Sequence, residues 1–190
     1  MYQIDQDVTY VQSTVHELEE YLLSDVLFWP LTGKSGKPLP AGATQLTIGN
    51  LLLSIKRLEA AGELSNRALS EATGLTGLVQ RVRSQWKSNW DKKASLEIRS
   101  RLTQWDHYLA EVASEHGWNH GDYAYNIRQR VILELLLGDV DKLMPKEQTY
   151  LVVLDQRLRS NTLPSEFVWD EMLRAGFAEQ TFWFLYRKPA

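Results

Sequence analysis

The chain of 190 residues contains no cysteine. Disulfides, thiolate zinc sites and cysteine nucleophiles are thereby excluded, and any metal would have to be held by histidine, aspartate or glutamate. Histidine is itself scarce, at four residues. No apolar run approaches the roughly 20 residues that cross a bilayer as a helix. The opening stretch MYQIDQDVTY lacks the basic and apolar regions of a secretory signal, so the expected location is cytoplasmic, without membrane contact. Signatures of catalysis are missing too: there is no HExxH, no Glu-x-x-His pair of the di-iron bundle kind and no GxSxG elbow. Gly33, Lys34 and Ser35 look like the end of a phosphate-binding P-loop. The first glycine of that motif would fall at position 28, which is Phe28, and Pro38 bars a regular helix behind it. No cofactor is expected, and an enzyme is the weaker expectation.

Proline is also absent from Leu75 to His116. Over that stretch apolar residues recur at three and four, through Leu75, Val79, Val82, Trp86, Trp90, Ala94, Ile98, Leu102, Trp105, Leu109 and Val112. This is the spacing of a helix face. Four-residue steps overshoot a full turn by about 40° each, so one long helix must rotate its face, or bend or break near Asn89 to Lys93. Elsewhere the pattern predicts a helix from about Asp7 to 24, a helix from Leu46 stopped by Gly62, a short one from Asn66 to Thr73 stopped by Gly74, a strongly apolar one from Asp122 to Leu137, and one with Pro145 at its first position running to about Ser160. A further short helix is expected at Ser165 to Ala175. Between the first two helices lies a long connection, with Pro30, Pro38, Pro40, Gly33, Gly36 and Gly42. Loops of that length are usually functional or disordered.

Charge is unevenly spread. The net value is −3, but residues 1–30 carry no Lys or Arg and sum to −6, whereas residues 75–101 sum to +5. Acidic helix and basic stripe either cover one another, with Glu17, Glu19 and Glu20 facing Arg81, Arg83 and Lys87, or leave the stripe free for an anionic partner.

Within the stripe, LSNRALSEATGLTGLVQRVRSQW (Leu64 to Trp86) resembles the helix-turn-helix of DNA-binding regulators: a short capped helix, a turn at Gly74, and a second helix with Val79 and Val82 inward. The resemblance covers about 23 residues and implies a second helix lying in the major groove. Thr76, Gln80, Arg81 and Ser84 would then face the bases, and Arg83, Lys87 and Lys92 the phosphate backbone. The glycine-to-valine spacing is one residue shorter than usual, and no wing strands follow.

Two further groups are candidates. His107, His116 and His120 fall beside Asp106, Glu115 and Asp122 and are the weak candidates for a metal site. The tail concentrates Phe167, Trp169, Phe177, Phe182, Trp183, Phe184 and Tyr186, seven of the chain's 20 aromatics. Such rings either dock into a core groove or form an interface.

The expectation is one all-α domain over 1–190, a bundle of about five or six helices with one long central helix. It divides into an acidic helix (1–24), a long loop (25–45), a helical core (46–160) and an aromatic C-terminal segment (161–190). The expected function is a non-catalytic binding module, a subunit or adaptor that meets a protein partner through Phe28, Trp29 and Leu39 of the loop and Trp169, Phe182 and Trp183 of the tail. The alternative is DNA or RNA binding through residues 64–86 and the basic face 76–101.

Overall fold

The computed structural model describes residues 2–33, 45–62, 66–112, 120–140 and 144–190, with the side chains at 62, 66–69, 71, 72, 120 and 121 outside that description. The fold is an all-α bundle. Among the described residues there are seven α-helices: α1 Ile4–Leu23, α2 Ile48–Gly62, α3 Asn66–Gln85, α4 Lys87–Glu111, α5 His120–Asn126, α6 Arg128–Asp139 and α7 Pro145–Ser160. Two short antiparallel ladders join β1 (Trp29–Pro30) to β2 (Gln45–Leu46) and β3 (Thr162–Pro164) to β4 (Arg187–Pro189). No described helix is long and apolar enough to cross a membrane.

The turn expected at Gly74 is not there. Asn66 to Gln85 form one continuous helix, so the segment lacks the geometry of a helix-turn-helix. Neither Gly74 nor Gly77 meets any atom that would require glycine. Their poor helix propensity, about 1 kcal/mol each, is outweighed by the burial of Leu75 and Val79 in the core. The long apolar stretch does break, though at Trp86 rather than within Asn89 to Lys93. Trp86 leaves helical geometry (φ −116°, ψ 35°), while the hydrogen bonds Trp86 N to Val82 O and Trp90 N to Trp86 O continue on either side at 3.0 and 2.9 Å. This joint resets the drifting stripe, and Trp90, Ala94, Ile98, Leu102, Trp105 and Leu109 all reach the core.

Helix α2 lies at the centre, packed against α1, α3, α4, α6 and the 3₁₀ turn Glu171–Gly176. Two glycines let its neighbours come close: a β-carbon on Gly49 would overlap Ile132 Cγ2 and the Glu97 carboxylate, and one on Gly176 would overlap Ala60 Cβ. The N-terminus of α2 is buried, and its backbone donors are met there. Thr47 Oγ1 accepts from Asn50 N at 3.1 Å and Glu97 Oε2 from Gly49 N at 2.8 Å. Arg101 in turn donates to Glu97 Oε1 at 2.6 Å, and also to Gln129, Thr47 and Asn50.

The apolar helix expected from Asp122 to Leu137 is divided at Ile127 into α5 and α6, and in α6 Val131, Ile132, Leu133 and Leu136 are fully buried as expected. The tail differs from its expectation. Ser165 to Ala175 is not a regular helix; a strand, two 3₁₀ turns and a second strand strap this segment onto the bundle. Its rings stack edge to face, with Trp169–Phe177, Phe177–Phe182 and Phe182–Phe184 centroids 5.3, 5.0 and 6.1 Å apart, the geometry aromatic quadrupoles favour.

Candidate binding surfaces

Thr76, Gln80 and Arg83, three of the residues expected to face nucleic acid, line a cleft of about 180 Å³ between α2, α3, α4 and α6, together with Lys56, Glu59, Trp90 and Asp139. Arg83 is tied there. It pairs with Asp139 at 2.8 Å while Asp139 also accepts from Trp90 Nε1 at 2.6 Å. Arg81, Ser84, Lys87 and Lys92 are exposed. Of the seven bases in the stripe, Arg83, Lys87, Arg99 and Arg101 face carboxylates of Asp139, Asp91, Glu147 and Glu97. Lys93 is buried, donates to Ser24 Oγ and the Val26 carbonyl and lies 4.5 Å from the Tyr21 ring centre.

The acidic helix does not cover this stripe through Glu17. That residue is fully buried and holds the base of the long loop: Glu17 Oε2 accepts from Trp29 Nε1, and Oε1 from the backbone and hydroxyl of Thr32, each at 2.9 Å. Trp29 is therefore half-buried and tethered, and Phe28 is half-buried beside it in the chain. Leu39 lies outside the described residues, as do Lys34 and Ser35. In the tail Phe182 is core, which removes it as a contact residue. Trp169 donates to the Ala124 carbonyl at 2.7 Å, and Trp183 is covered by Arg159 at 3.5 Å. The aromatic segment is docked.

No metal centre is assembled among the described residues. His107 is exposed on α4, and His116 and the side chain of His120 lie outside the described residues. Asp106, expected near them, is committed to α7: Tyr150 Oη and Arg157 each donate to it at 2.7 Å. The Tyr150 hydrogen bond, with Arg157 behind it, holds the Asp106 carboxyl below its usual range.

Two further features stand out. The first is a groove of about 390 Å³ between α4 and the start of α7, lined by Arg99, Leu102, Thr103, Met144, Lys146, Glu147 and Tyr150. Two staples fix its walls, Arg99 to Glu147 at 2.6 Å and Tyr150 to Asp106. Met144 at its edge is 57% exposed, and further along α7 Val152 and Val153 are 57% and 46% exposed. The second is a corner where four segments meet. Tyr2 and Asp7 come from the start of the chain and α1, Ser54 and Arg57 from α2, Tyr125 and Arg128 from α5 and α6, and Trp169 from the tail. Tyr2 Oη and Ser54 Oγ donate to the two Asp7 oxygens at 2.8 and 2.6 Å. Arg57 stacks 4.8 Å from the Trp169 ring centre, and Arg128 lies 5.9 Å from that of Tyr125.

No protein-family model, curated protein or solved structure matches this chain. The groove is suited to an apolar peptide segment, with charged groups at its rim for orientation. The corner brings Arg57 and Arg128 onto aromatic rings, with the carboxylates of Asp7 and Asp170 held on Tyr2. Of its residues only Trp169 stood out in the sequence. Arg57 carries no local motif, and its stacking on Trp169 depends on how α2 and the tail pack.

Proposed function

We propose that the protein is a non-catalytic helical binding module, a subunit or adaptor, and that its partner docks along the α4–α7 groove rather than on the loop and tail. The observation that carries this reading is exposed Met144 at the edge of a groove lined by Leu102 and Tyr150, with exposed Val153 about one turn beyond Tyr150 on the same face of α7. Apolar side chains at such an edge gain about 25 cal/mol per Å² when a partner covers them, and exposed apolar clusters commonly mark contact sites. The commitment of Asp106, Asp139, Glu97 and Glu17 to structural hydrogen bonds also supports a module without catalysis.

The test is affinity capture from the native cells under gentle lysis, comparing the wild-type chain with a Met144→Glu, Val153→Glu variant. Both substitutions are at exposed positions, so unchanged thermal unfolding is expected. A partner recovered with the wild type and reduced at least about tenfold with the variant, a loss of roughly 1.4 kcal/mol, supports the reading. Equal recovery with both chains, or a wild type that emerges alone, rejects it.

A further inference from the structure

Packed helices normally interdigitate and leave few voids larger than a water molecule. The cleft of about 180 Å³ between α2, α3, α4 and α6 departs from that. Helices α2 and α3 pack against each other, and each turns one face of two turns into the cleft. From α2 these are Leu52, Ile55, Lys56 and Glu59, and from α3 Thr76, Val79, Gln80 and Arg83. Both sets have the i, i+3, i+4, i+7 spacing of one helix face. Ile55, Val79 and Trp90 are buried and give the cleft an apolar floor. Native elements thus hold open a concave site with a dry bottom and a polar mouth, the usual make-up of small-molecule sites between helices of a bundle.

Four charged groups line this site, and they fall into two kinds. Arg83 and Asp139 are closed on one another: Arg83 Nη2 reaches the Asp139 carboxylate at 2.8 Å and its carbonyl at 3.3 Å, while Trp90 Nε1 holds the other carboxylate oxygen at 2.6 Å. That fixes one wall. Lys56 and Glu59 are different. They carry opposite charges one turn apart on the same face of α2, Lys56 half-buried and Glu59 exposed. Among the described residues neither has a hydrogen-bond or ion-pair partner, and they do not pair with each other. Thr76 and Gln80 bring a hydroxyl and an amide to the same mouth from α3. The formal charges cancel, Lys56 and Arg83 against Glu59 and Asp139. A purely apolar occupant would cover Lys56 or Glu59 without giving it a partner, which is costly. An occupant with a single charge would serve one of them and repel the other.

We propose that this cleft binds a small apolar α-amino acid, with its side chain on the floor of Ile55, Val79 and Trp90, its carboxylate at Lys56 and its ammonium at Glu59. A zwitterion meets both unpaired charges of the mouth at once and leaves the neutral balance of the cleft unchanged. Thr76 Oγ1 and Gln80 Nε2 are further donors for the carboxylate. Size agrees: an apolar cavity of about 150 Å³ holds a benzene ring, so this cleft takes a branched aliphatic side chain and leaves the charged head at the rim. The site is separate from the α4–α7 groove and stands or falls independently of it.

The experiment is calorimetric titration of the full chain with leucine and valine, and with three compounds that each lack one part of the ligand: glycine, without the apolar side chain; 4-methylpentanoate, without the ammonium; and 3-methylbutylamine, without the carboxylate. Leucine or valine should bind saturably at 1:1 and raise Tm, with each of the other three at least tenfold weaker. Lys56→Gln and Glu59→Gln should each weaken amino-acid binding at least tenfold, while their Tm without ligand stays within about 2 °C of the wild type, because both positions lie at the mouth rather than in the core. Thr76→Tyr, which fills the cleft from α3, should abolish binding and carries the test if a charge variant does not fold. Three results overturn the proposal: no saturable binding of leucine or valine by the wild type, 4-methylpentanoate or 3-methylbutylamine binding as tightly as leucine, or wild-type affinity in Lys56→Gln or Glu59→Gln.

Discussion

Asp7 illustrates how a residue that looks like one more solvated acid in α1 acquires a specific role from its surroundings. Its burial favours the protonated form, and this outweighs the hydrogen bonds from Ser54 and Tyr2 and the attraction of Arg57. The folded protein therefore holds this proton more tightly than the unfolded chain, in which an aspartate titrates near ~4. Stability from this group is fully present below that value and is lost as pH rises through the raised folded value. Asp7→Asn removes the ionisation and keeps one acceptor for the two hydroxyls. The stability difference, variant minus wild type, should move in favour of the variant as pH rises from about 4 to about 7. Denaturant unfolding at several pH values measures it, and a difference independent of pH would contradict the assignment. Glu17 makes the same point from the other side: its place in the acidic run suggested a partner for the basic stripe, yet it is buried and bonded to Trp29 and Thr32.

At the level of the element, glycines decide between alternative readings of one stretch. Had Gly74 closed a helix-turn-helix, an alanine there would strain the turn. Within a continuous α3 the added methyl meets nothing, so Gly74→Ala and Gly77→Ala should each stabilise the protein by about 0.5–1 kcal/mol, the difference in helix propensity. Gly176→Ala should do the opposite. Its methyl would overlap Ala60 where the 3₁₀ turn lies on α2, and forcing a contact of this kind costs about 1–3 kcal/mol. Chemical denaturation of the three variants checks both signs. The tail follows the same logic. Its aromatic richness was plain in the sequence, but its irregular backbone was not, because Phe177, Phe182 and Phe184 are placed by edge-to-face packing rather than by any local helical period.

For the molecule as a whole, charge patterning along the chain is largely rewritten by folding. Of the seven bases in residues 75–101, two face Asp91 and Glu97 on α4 itself, one faces Asp139 and one Glu147 of α7. Arg81 and Lys92 remain exposed without an ion pair among the described residues. Duplex DNA should accordingly bind weakly, with a salt dependence of about two phosphate contacts. Fluorescence anisotropy at two salt concentrations measures this; a slope several times steeper, abolished by Arg81→Glu and Lys92→Glu, would restore the nucleic-acid alternative. The sequence by itself determined the helical class, the positions of α1, α2 and α7 to within a few residues, and the absence of cysteine chemistry. These follow from apolar periodicity, proline and glycine punctuation and composition, all of which are local. Only the tertiary structure decided that α3 runs through Gly74, that the break falls at Trp86 and that four bases of the stripe face carboxylates. Each of those depends on which side chains from distant segments become neighbours, and burial and charge pairing act between spatial neighbours whatever their separation along the chain.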